Sequence, residues 1–381
     1  MNLDAFGSAT GTSGSATARE IAQQPEVWAD VCRTLGKDEA ALRAFLDPLL
    51  ARPDLRIVLT GAGSSAFIGE ALQPALTRAL RRRVDAVATT DIVAGPDSVF
   101  AERVPTLLIS FARSGESPES TAATALADQL VPDTRHLVVT CDTDGALSLQ
   151  HRGRDDSLVL AMPEAANDRG FAMTSSFTSM MLATWLALAV PGPERETYGA
   201  RIGAAAAQLL ADPGGVADLV ARSYQRVVYL GSGALRGIAR ESSLKMLELT
   251  AGQVAASYET ALGFRHGPKA FLDDQSLAVV YLSNDPYTRG YDEDIVTELR
   301  ATVGAEHVFV VSAAGPVAGP GFAFTGLDGL DDCLVALPFV IVGQLLGLGS
   351  SVALGLTPDN PFPDGQVNRV VQGVTVHPFP A

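Results

Sequence analysis

The chain has 381 residues, 47% hydrophobic and 19% charged, so it is long enough for two domains with a large buried core. Its net charge of -15 argues against nucleic acid or a membrane surface as a main partner, and an anionic ligand would need a local positive site. Cys32, Cys141 and Cys333 are widely separated and show no metal-ligand spacing. We expect them to be buried thiols in a reducing cytoplasm.

A helical segment is predicted over residues 1–50. From Thr17 onward, apolar residues recur at helical spacing, and Pro25 is expected to break the region into two helices. The N-terminus has no basic stretch followed by an apolar one, so no signal peptide is predicted. The most apolar segment, 334–349, is shorter than a membrane span and is predicted to be a buried helix.

Residues 51–193 alternate between short apolar runs and helix-like runs. The short runs are apolar throughout, which is typical of strands in a parallel sheet that is covered on both faces. The first short apolar run begins at Arg56 and enters a Gly/Ser turn within residues 56–65, and further strands are predicted at 84–90, 106–110, 136–141 and 158–161. A long apolar helix is predicted at 176–190, and Pro191-Gly-Pro193 then marks a boundary.

The same order of elements returns in residues 194–381, after a helical stretch at 194–221. Arg226-Val-Val-Tyr-Leu-Gly-Ser-Gly233 repeats Arg56-Ile-Val-Leu-Thr-Gly-Ala-Gly63. Further runs follow as in the first half, at residues 235–249, 277–282, 307–312 and 331–351. We interpret the chain as a tandem duplication of one α/β unit, each copy a parallel sheet between helices in three layers.

A loop rich in serine, Phe111-Ala-Arg-Ser-Gly-Glu-Ser-Pro-Glu-Ser120, joins a predicted strand to a predicted helix. Such a turn leaves main-chain N–H groups unpaired at the positive end of the helix dipole, which favours a phosphate. Ser114, Ser117 and Ser120 add hydroxyl groups, and Arg113 adds a positive charge. A serine-rich helix cap would need no ligand, but these residues exceed what a cap needs. The loop therefore predicts a site for the phosphate of a small molecule.

The glycine turns also invite comparison with a dinucleotide-binding fold. Gly61-Ala-Gly63 lacks the third glycine of that fingerprint, because Ala66 stands in its place, so a nicotinamide cofactor is less favoured than a phosphosugar. The second copy has Ser283-Asn-Asp-Pro286 where the first has its serine-rich loop. We therefore expect the full phosphate cradle in the first half only.

Four separated motifs resemble the sugar isomerase (SIS) family of phosphosugar-binding proteins. They are Gly61-Ala-Gly-Ser-Ser65, Ser114-Gly-Glu-Ser117, Thr174-Ser-Ser-Phe-Thr178 and Phe264-Arg-His-Gly-Pro268. The resemblance runs from about residue 20 to the end, in two SIS units, as in the isomerase half of glucosamine-6-phosphate synthase. Further motifs are similar to the galactosamine-6-phosphate deaminase branch, also named tagatose-6-phosphate ketose/aldose isomerase. These are Lys245-Met-Leu-Glu-Leu-Thr250, Gly263-Phe-Arg-His-Gly-Pro-Lys269 and Thr357-Pro-Asp-Asn-Pro361.

The resemblance implies roles for particular residues. Glu248 matches an acid/base glutamate, and His266 matches a ring-opening histidine that reaches the site from the other subunit, which implies a homodimer. Gln372 stands where the synthase has a lysine of its C-terminal tail. With the loop argument, the predicted substrate-binding residues are Ser64, Ser65, Arg113, Ser114, Glu116, Ser117, Ser175 and Ser176. The predicted partner is a small sugar phosphate, and no metal, cofactor, nucleic acid or membrane is expected to bind. The predicted location is the cytoplasm.

The chemistry of an amino-sugar phosphate suits these residue types. The closed ring must first be opened by moving a proton between O1 and O5, which a histidine titrating near neutral pH can do. A carboxylate shielded from water can then remove the C2 proton, and Glu248 lies on a helix that is otherwise largely apolar. Two plainer interpretations stay open: Lys245 could pair with Glu248 on the surface, and His266 could be a structural loop residue.

Three functions are compatible with the sequence. The first is a deaminase that converts galactosamine 6-phosphate to tagatose 6-phosphate and ammonia. The second is a glucosamine-6-phosphate deaminase or a plain aldose–ketose isomerase, which differs in the epimer or in the nitrogen. The third is a noncatalytic phosphosugar sensor. The match of Glu248 and His266 to catalytic positions argues against the sensor, and so does the lack of a fused helix-turn-helix segment.

Overall fold

Two parallel sheets organise the chain in the computed structural model, which describes residues 7, 14–371 and 373–380. One compact unit, called here the N-terminal unit, comprises Val27–Asn167, Ser175–Thr197 and the tail from Val367 onward. The other, the C-terminal unit, comprises the chain up to Glu26, Asp168–Thr174 and Tyr198–Gln366. The predicted domain limits of 51–193 and 194–381 stay predictions.

The N-terminal unit holds a five-stranded sheet of order β2-β1-β3-β4-β5 with every pair of neighbours parallel. Its strands are β1 (Arg56–Thr60), β2 (Val84–Ala86), β3 (Thr106–Ala112), β4 (Thr134–Thr140) and β5 (Ser157–Ala161). Its helices lie at Gln24–Lys37, Glu39–Leu50, Ser64–Leu80, Thr89–Ala94, Pro96–Val99, Pro118–Leu130, Ala146–His151 and Ser175–Ala189. All residues of β1 and β3 are buried, as expected for a sheet that is covered on both faces.

The C-terminal unit holds a second parallel sheet, of order β10-β9-β8-β6-β7. Its strands are β6 (Arg226–Gly231), β7 (Ala255–Glu259), β8 (Ser276–Tyr281), β9 (Val308–Ser312) and β10 (Gly321–Ala323). Its helices lie at Ala16–Ala22, Gly214–Ala221, Ala234–Leu249, Ala261–Phe264, Pro286–Val303 and Asp332–Ala353, and the helix Glu194–Ala211 leads into it.

The topology confirms the predicted duplication and the α/β fold class. Taking β6 to β10 for β1 to β5 in chain order, the two sheets have the same strand order. The turn after the first strand of each copy also has the same backbone, with Gly63 at φ 55° and Gly233 at φ 58°. A Cβ on Gly61 or Gly231 would lie 2.6 Å from the main chain four residues on, so both turns require glycine.

Several element boundaries differ from the sequence-based prediction. The strand predicted at 84–90 ends at Ala86, because a helix begins at Thr89. The break in the N-terminal helical region lies at Gln23, and Pro25 lies in the first turn of the next helix, where its missing N–H costs nothing. The stretch 194–221 is two helices, separated at Pro213. Strands β7 and β10 had not been predicted.

The long apolar helix Asp332–Ala353 forms the centre of the C-terminal unit. Among the described residues it is the one helix long and apolar enough to cross a membrane, and 94% of its apolar window is buried inside the protein. The prediction of a buried helix here is confirmed. Cys32, Cys141 and Cys333 are buried free thiols, also as predicted.

Candidate active site

The carboxyl ends of β1 and β3 meet at one edge of the N-terminal sheet, where Thr60 pairs with Ser110. The helix that follows β1 begins at Ser64, and its first two residues, Ser64 and Ser65, are buried. The helix that follows β3 begins at Pro118. The N-terminal ends of two helices, where the helix dipoles are positive, therefore lie at this edge, an arrangement that favours an anion.

The loop after β3 is packed tightly against the loop after β4. A Cβ on Gly145 would lie 1.9 Å from the Ser114 carbonyl oxygen, so glycine is what permits this approach. The Glu116 carboxylate accepts a hydrogen bond of 2.9 Å from the Ala146 N–H, at the start of the helix after β4. The Ser114 Oγ accepts a hydrogen bond of 3.3 Å from the Glu116 N–H. The serine-rich loop is thus held by the loop after β4 and by a hydrogen bond of its own.

The remaining predicted serines occupy different surroundings. Ser117, just before the helix, donates its hydroxyl proton to the Glu119 carboxylate at 2.6 Å. Ser175 and Ser176 begin the long apolar helix of this unit and are fully buried. Their burial favours a part in the floor of a site over contact with open solvent.

Arg113 connects the serine-rich loop to the C-terminal tail. Its side chain is buried, and its Nη2 donates a hydrogen bond of 3.0 Å to the Arg369 carbonyl oxygen. Further along the tail, Phe379 packs against the apolar cluster beneath the sheet, and the Pro380 carbonyl accepts a hydrogen bond from Gln129. Gln372, the predicted counterpart of a tail lysine, lies outside the described residues. The tail therefore lies on the unit that carries the loop.

In the C-terminal unit, Glu248 lies near the end of the helix Ala234–Leu249. Its side chain is 23% exposed, and its Oε2 accepts a short hydrogen bond from the Lys245 ammonium. Lys245 also lies 3.4 Å from the Glu241 carboxylate, and the side chains of Lys245 and Glu241 are 1% and 0% exposed. The alternative considered from sequence, a surface pair of Lys245 and Glu248, is therefore wrong about the location. The two side chains do pair, but the lysine is buried.

Close helix packing explains how a lysine comes to be buried there. The helix Asp332–Ala353 lies against Ala234–Leu249, and a Cβ on its Gly343 would lie 2.4 Å from Ser242 Oγ. Lys245 was not predicted as a functional residue. Its spacing of three residues before Glu248 and four after Glu241 was the available signal, because such spacings place side chains on one helix face. The burial that makes this charge cluster unusual is visible only in the structure.

His266 lies on a turn that is clamped by the residues around it. Arg265 Nε and Lys269 Nζ donate to the two carboxylate oxygens of Glu298, at 2.7 Å and 2.5 Å, and these hydrogen bonds lower the pKa of Glu298. Gly267 follows at φ 123°, a conformation that favours glycine. The His266 side chain is exposed. The turn thus presents the imidazole of His266 to solvent.

A metal site would need several ligand side chains close together. Over residues 7, 14–371 and 373–380, no group of three or more histidine, cysteine, aspartate or glutamate side chains is placed to hold a metal ion.

Comparison with known proteins assigns the family. Residues 49–190 match the SIS domain model. The chain is 56% identical to a Streptomyces coelicolor protein provisionally named D-galactosamine-6-phosphate deaminase AgaS, over 95% of each chain. It is 44% identical to the D-galactosamine-6-phosphate deaminase AgaS of a Shewanella species, over 95% of this chain and 92% of that protein. The solved structure of tagatose-6-phosphate ketose/aldose isomerase from Escherichia coli has a TM-score of 0.89 and 40% identity, covering 97% of this chain and 98% of that one.

These matches first place the chain in a class of proteins, the enzymes built on SIS domains, as the sequence motifs had predicted. The chain belongs to the AgaS family within that class, since relatives of that name match it along almost its whole length.

Ser114→Ala is expected to weaken substrate binding without slowing the bound complex, because a phosphate does not change during the reaction. Losing one hydrogen bond to a charged group costs about 1.5–3 kcal/mol, which corresponds to a rise in KM of roughly ten- to a hundredfold. Steady-state kinetics measure both constants, with Ser98→Ala, at an exposed position of a short helix, as the matched control. An unchanged KM would place the phosphate elsewhere.

Proposed function

We propose that this chain is a cytoplasmic deaminase that converts galactosamine 6-phosphate and water to tagatose 6-phosphate and ammonia. The observation that carries the proposal is the full-length likeness to relatives named for this deamination. Two features of the molecule support it: a partly exposed carboxylate, Glu248, held by a buried ammonium, and a serine-lined sheet edge suited to a phosphate.

The proposed reaction needs two proton transfers by named side chains. His266 moves a proton from O1 to O5 and opens the sugar ring. Glu248 then removes the C2 proton, which leaves an enolamine, and protonation at C1 gives a ketimine. Water adds to C2, ammonia leaves, and the ketose phosphate remains. The ammonium of Lys245 holds the Glu248 carboxylate in place through an ion pair.

The phosphate is proposed to bind at the edge formed by Ser64, Ser65 and the loop from Arg113 to Ser117. In a chain of net charge -15, the positive ends of two helices and one guanidinium supply the local attraction that an anion needs. Glu116 is proposed to shape this loop, since its carboxylate holds the next loop in place. Ser175 and Ser176 complete the floor.

A panel of substrates tests the proposed function. Purified protein is incubated with galactosamine 6-phosphate, glucosamine 6-phosphate and galactose 6-phosphate, and ammonia and ketose are measured separately. The proposal expects ammonia and ketose in equal amounts, with galactosamine 6-phosphate preferred. Ketose from galactose 6-phosphate without ammonia from either amino sugar would favour plain isomerisation, the activity in the name of the similar Escherichia coli structure. Binding without turnover would favour a sensor.

We further propose that the enzyme is a homodimer in which His266 serves the site of the neighbouring subunit. Its exposure and its clamped turn support this assignment. His266→Ala is expected to lower turnover of the cyclic substrate far more than turnover of an open-chain analogue, because the analogue bypasses ring opening. Mixing His266→Ala chains with Glu248→Gln chains should restore activity, since one site of each mixed dimer then has both groups. Equal impairment on both substrates would contradict ring opening, and a fully active monomer would contradict sharing.

A further inference from the structure

The C-terminal unit has the same kind of sheet edge as the one proposed to bind phosphate. Its first strand ends in a glycine turn that contains Ser232, and its third strand, β8, ends in a loop that contains Ser283 and Asn284. A helix starting at Pro286 follows that loop, as a helix starting at Pro118 follows the loop of the N-terminal unit. Main-chain N–H groups and hydroxyls of the kind that hold a phosphate therefore collect at this edge as well.

Two carboxylates of the same unit already accept hydrogen bonds from these hydroxyl and main-chain N–H groups. Asp292 accepts the Ser232 hydroxyl at 2.6 Å and the Ser283 N–H at 3.0 Å. Asp332 accepts the Ser283 hydroxyl at 2.6 Å and the Asn284 N–H at 2.7 Å. Each carboxylate thus bridges two donors, as two oxygens of a phosphate would. Asp292 is fully buried, and burial raises its pKa to about 6.

The N-terminal unit has neutral residues at the matching positions. Asp332 is the first residue of the long apolar helix of its unit, and Ser175 is the first residue of the corresponding helix. Asp292 lies six residues after Pro286, and Thr124 lies six residues after Pro118. At these two matched positions the copies therefore differ by two negative charges. A phosphate approaching the C-terminal edge would have to displace four hydrogen bonds and would meet two like charges.

We propose that Asp292 and Asp332 close the C-terminal edge to anions, so that each chain binds one sugar phosphate although it contains two copies of the fold. This inference rests on the proposed phosphate site of the N-terminal unit. It assigns the two aspartates a role in specificity: they confine the substrate to the edge that carries the serine-rich loop. It also predicts that exchanging them for their N-terminal counterparts exposes a second anion site.

The test counts bound anions in wild type and in the double variant Asp292→Thr/Asp332→Ser. Equilibrium dialysis at pH 8 is performed with inorganic phosphate and with galactitol 6-phosphate, which has no carbonyl group to react. The matched control is Asp294→Thr/Asp328→Ser, which removes the same charge at exposed positions of the same unit. Wild type and control are expected to bind one anion per chain, and the double variant two. Circular dichroism checks that each variant is folded.

The outcomes separate this inference from the proposed function. Two anions on wild type, or one on a folded double variant, would overturn the closure by the aspartates. No anion on wild type but one on the double variant would support the closure and contradict the N-terminal phosphate site. If the double variant does not fold, Asp292→Asn/Asp332→Asn removes the charges while keeping side-chain size. The number of anions bound by that variant is then read in the same way as for the double variant.

Discussion

Glu248→Gln is expected to lower the rate of exchange of the C2 proton with solvent by a factor of about 100 to 10,000, the usual contribution of a general base. The amide keeps the size of the side chain but cannot accept the proton. Glu248 is 23% exposed, so the substitution is not expected to unfold the helix, and substrate should still bind. Incorporation of deuterium at C2, followed by NMR, measures the exchange directly.

A second variant at this position separates charge from shape. Glu248→Asp keeps the carboxylate and shortens the side chain by one methylene, so it should exchange more slowly than wild type but faster than Glu248→Gln. Substrate affinity measured by titration should change little in either variant, because the phosphate is proposed to bind to other residues. Exchange at the wild-type rate in Glu248→Gln would assign the base to another residue.

Lys245→Met is expected to lower the free energy of unfolding by about 3–5 kcal/mol, as is typical when one partner of a buried ion pair is removed. Lys245 is 1% exposed between two carboxylates, and Glu241 is 0% exposed. Methionine fits a space of similar length, so the loss comes mainly from leaving a buried negative charge without its lysine. Urea titration monitored by circular dichroism gives the change.

Removal of both buried charges provides the control. Glu241→Gln/Lys245→Met should be more stable than Lys245→Met alone, because no uncompensated buried carboxylate remains. Deamination should still be lost in the double variant if the ion pair with Lys245 is needed to hold the Glu248 carboxylate in place. A Lys245→Met protein as stable as wild type would mean that the charge cluster is open to water in solution.

The sequence predicted the elements whose residues are apolar in an uninterrupted run. Strands β1, β3 and β4 were found because all residues of β1 and β3, and all of β4 except Arg135, are buried, which leaves an almost continuous apolar signature. Strands β7 and β10 were missed because they lie at the sheet edges and contain exposed or half-buried residues. The strand predicted over 84–90 was too long, since β2 is also an edge strand and its apolar continuation turns into a helix.

Some features of the candidate site could also be predicted from the sequence, and others could not. The serine-rich loop and the turn around His266 were visible in sequence, because short motifs of glycine, serine and proline specify loops through local backbone preferences. The burial of Lys245 was not visible, since an identical spacing of charges on an exposed helix would give an ordinary surface pair. The link between Arg113 and the Arg369 carbonyl, 256 residues apart, could not be read from either segment.

By itself the sequence determined the duplicated α/β fold, the SIS family and the position of the serine-rich loop, because periodicity and local motifs are properties of neighbouring residues. The tertiary structure decided which charges are buried and which donors are already satisfied. Lys245 is buried because glycines of a second helix allow close packing, and Ser232 and Ser283 are bound because Asp292 and Asp332 reach them from other helices. Burial and hydrogen bonding depend on residues far apart in the chain, and only folding brings those together.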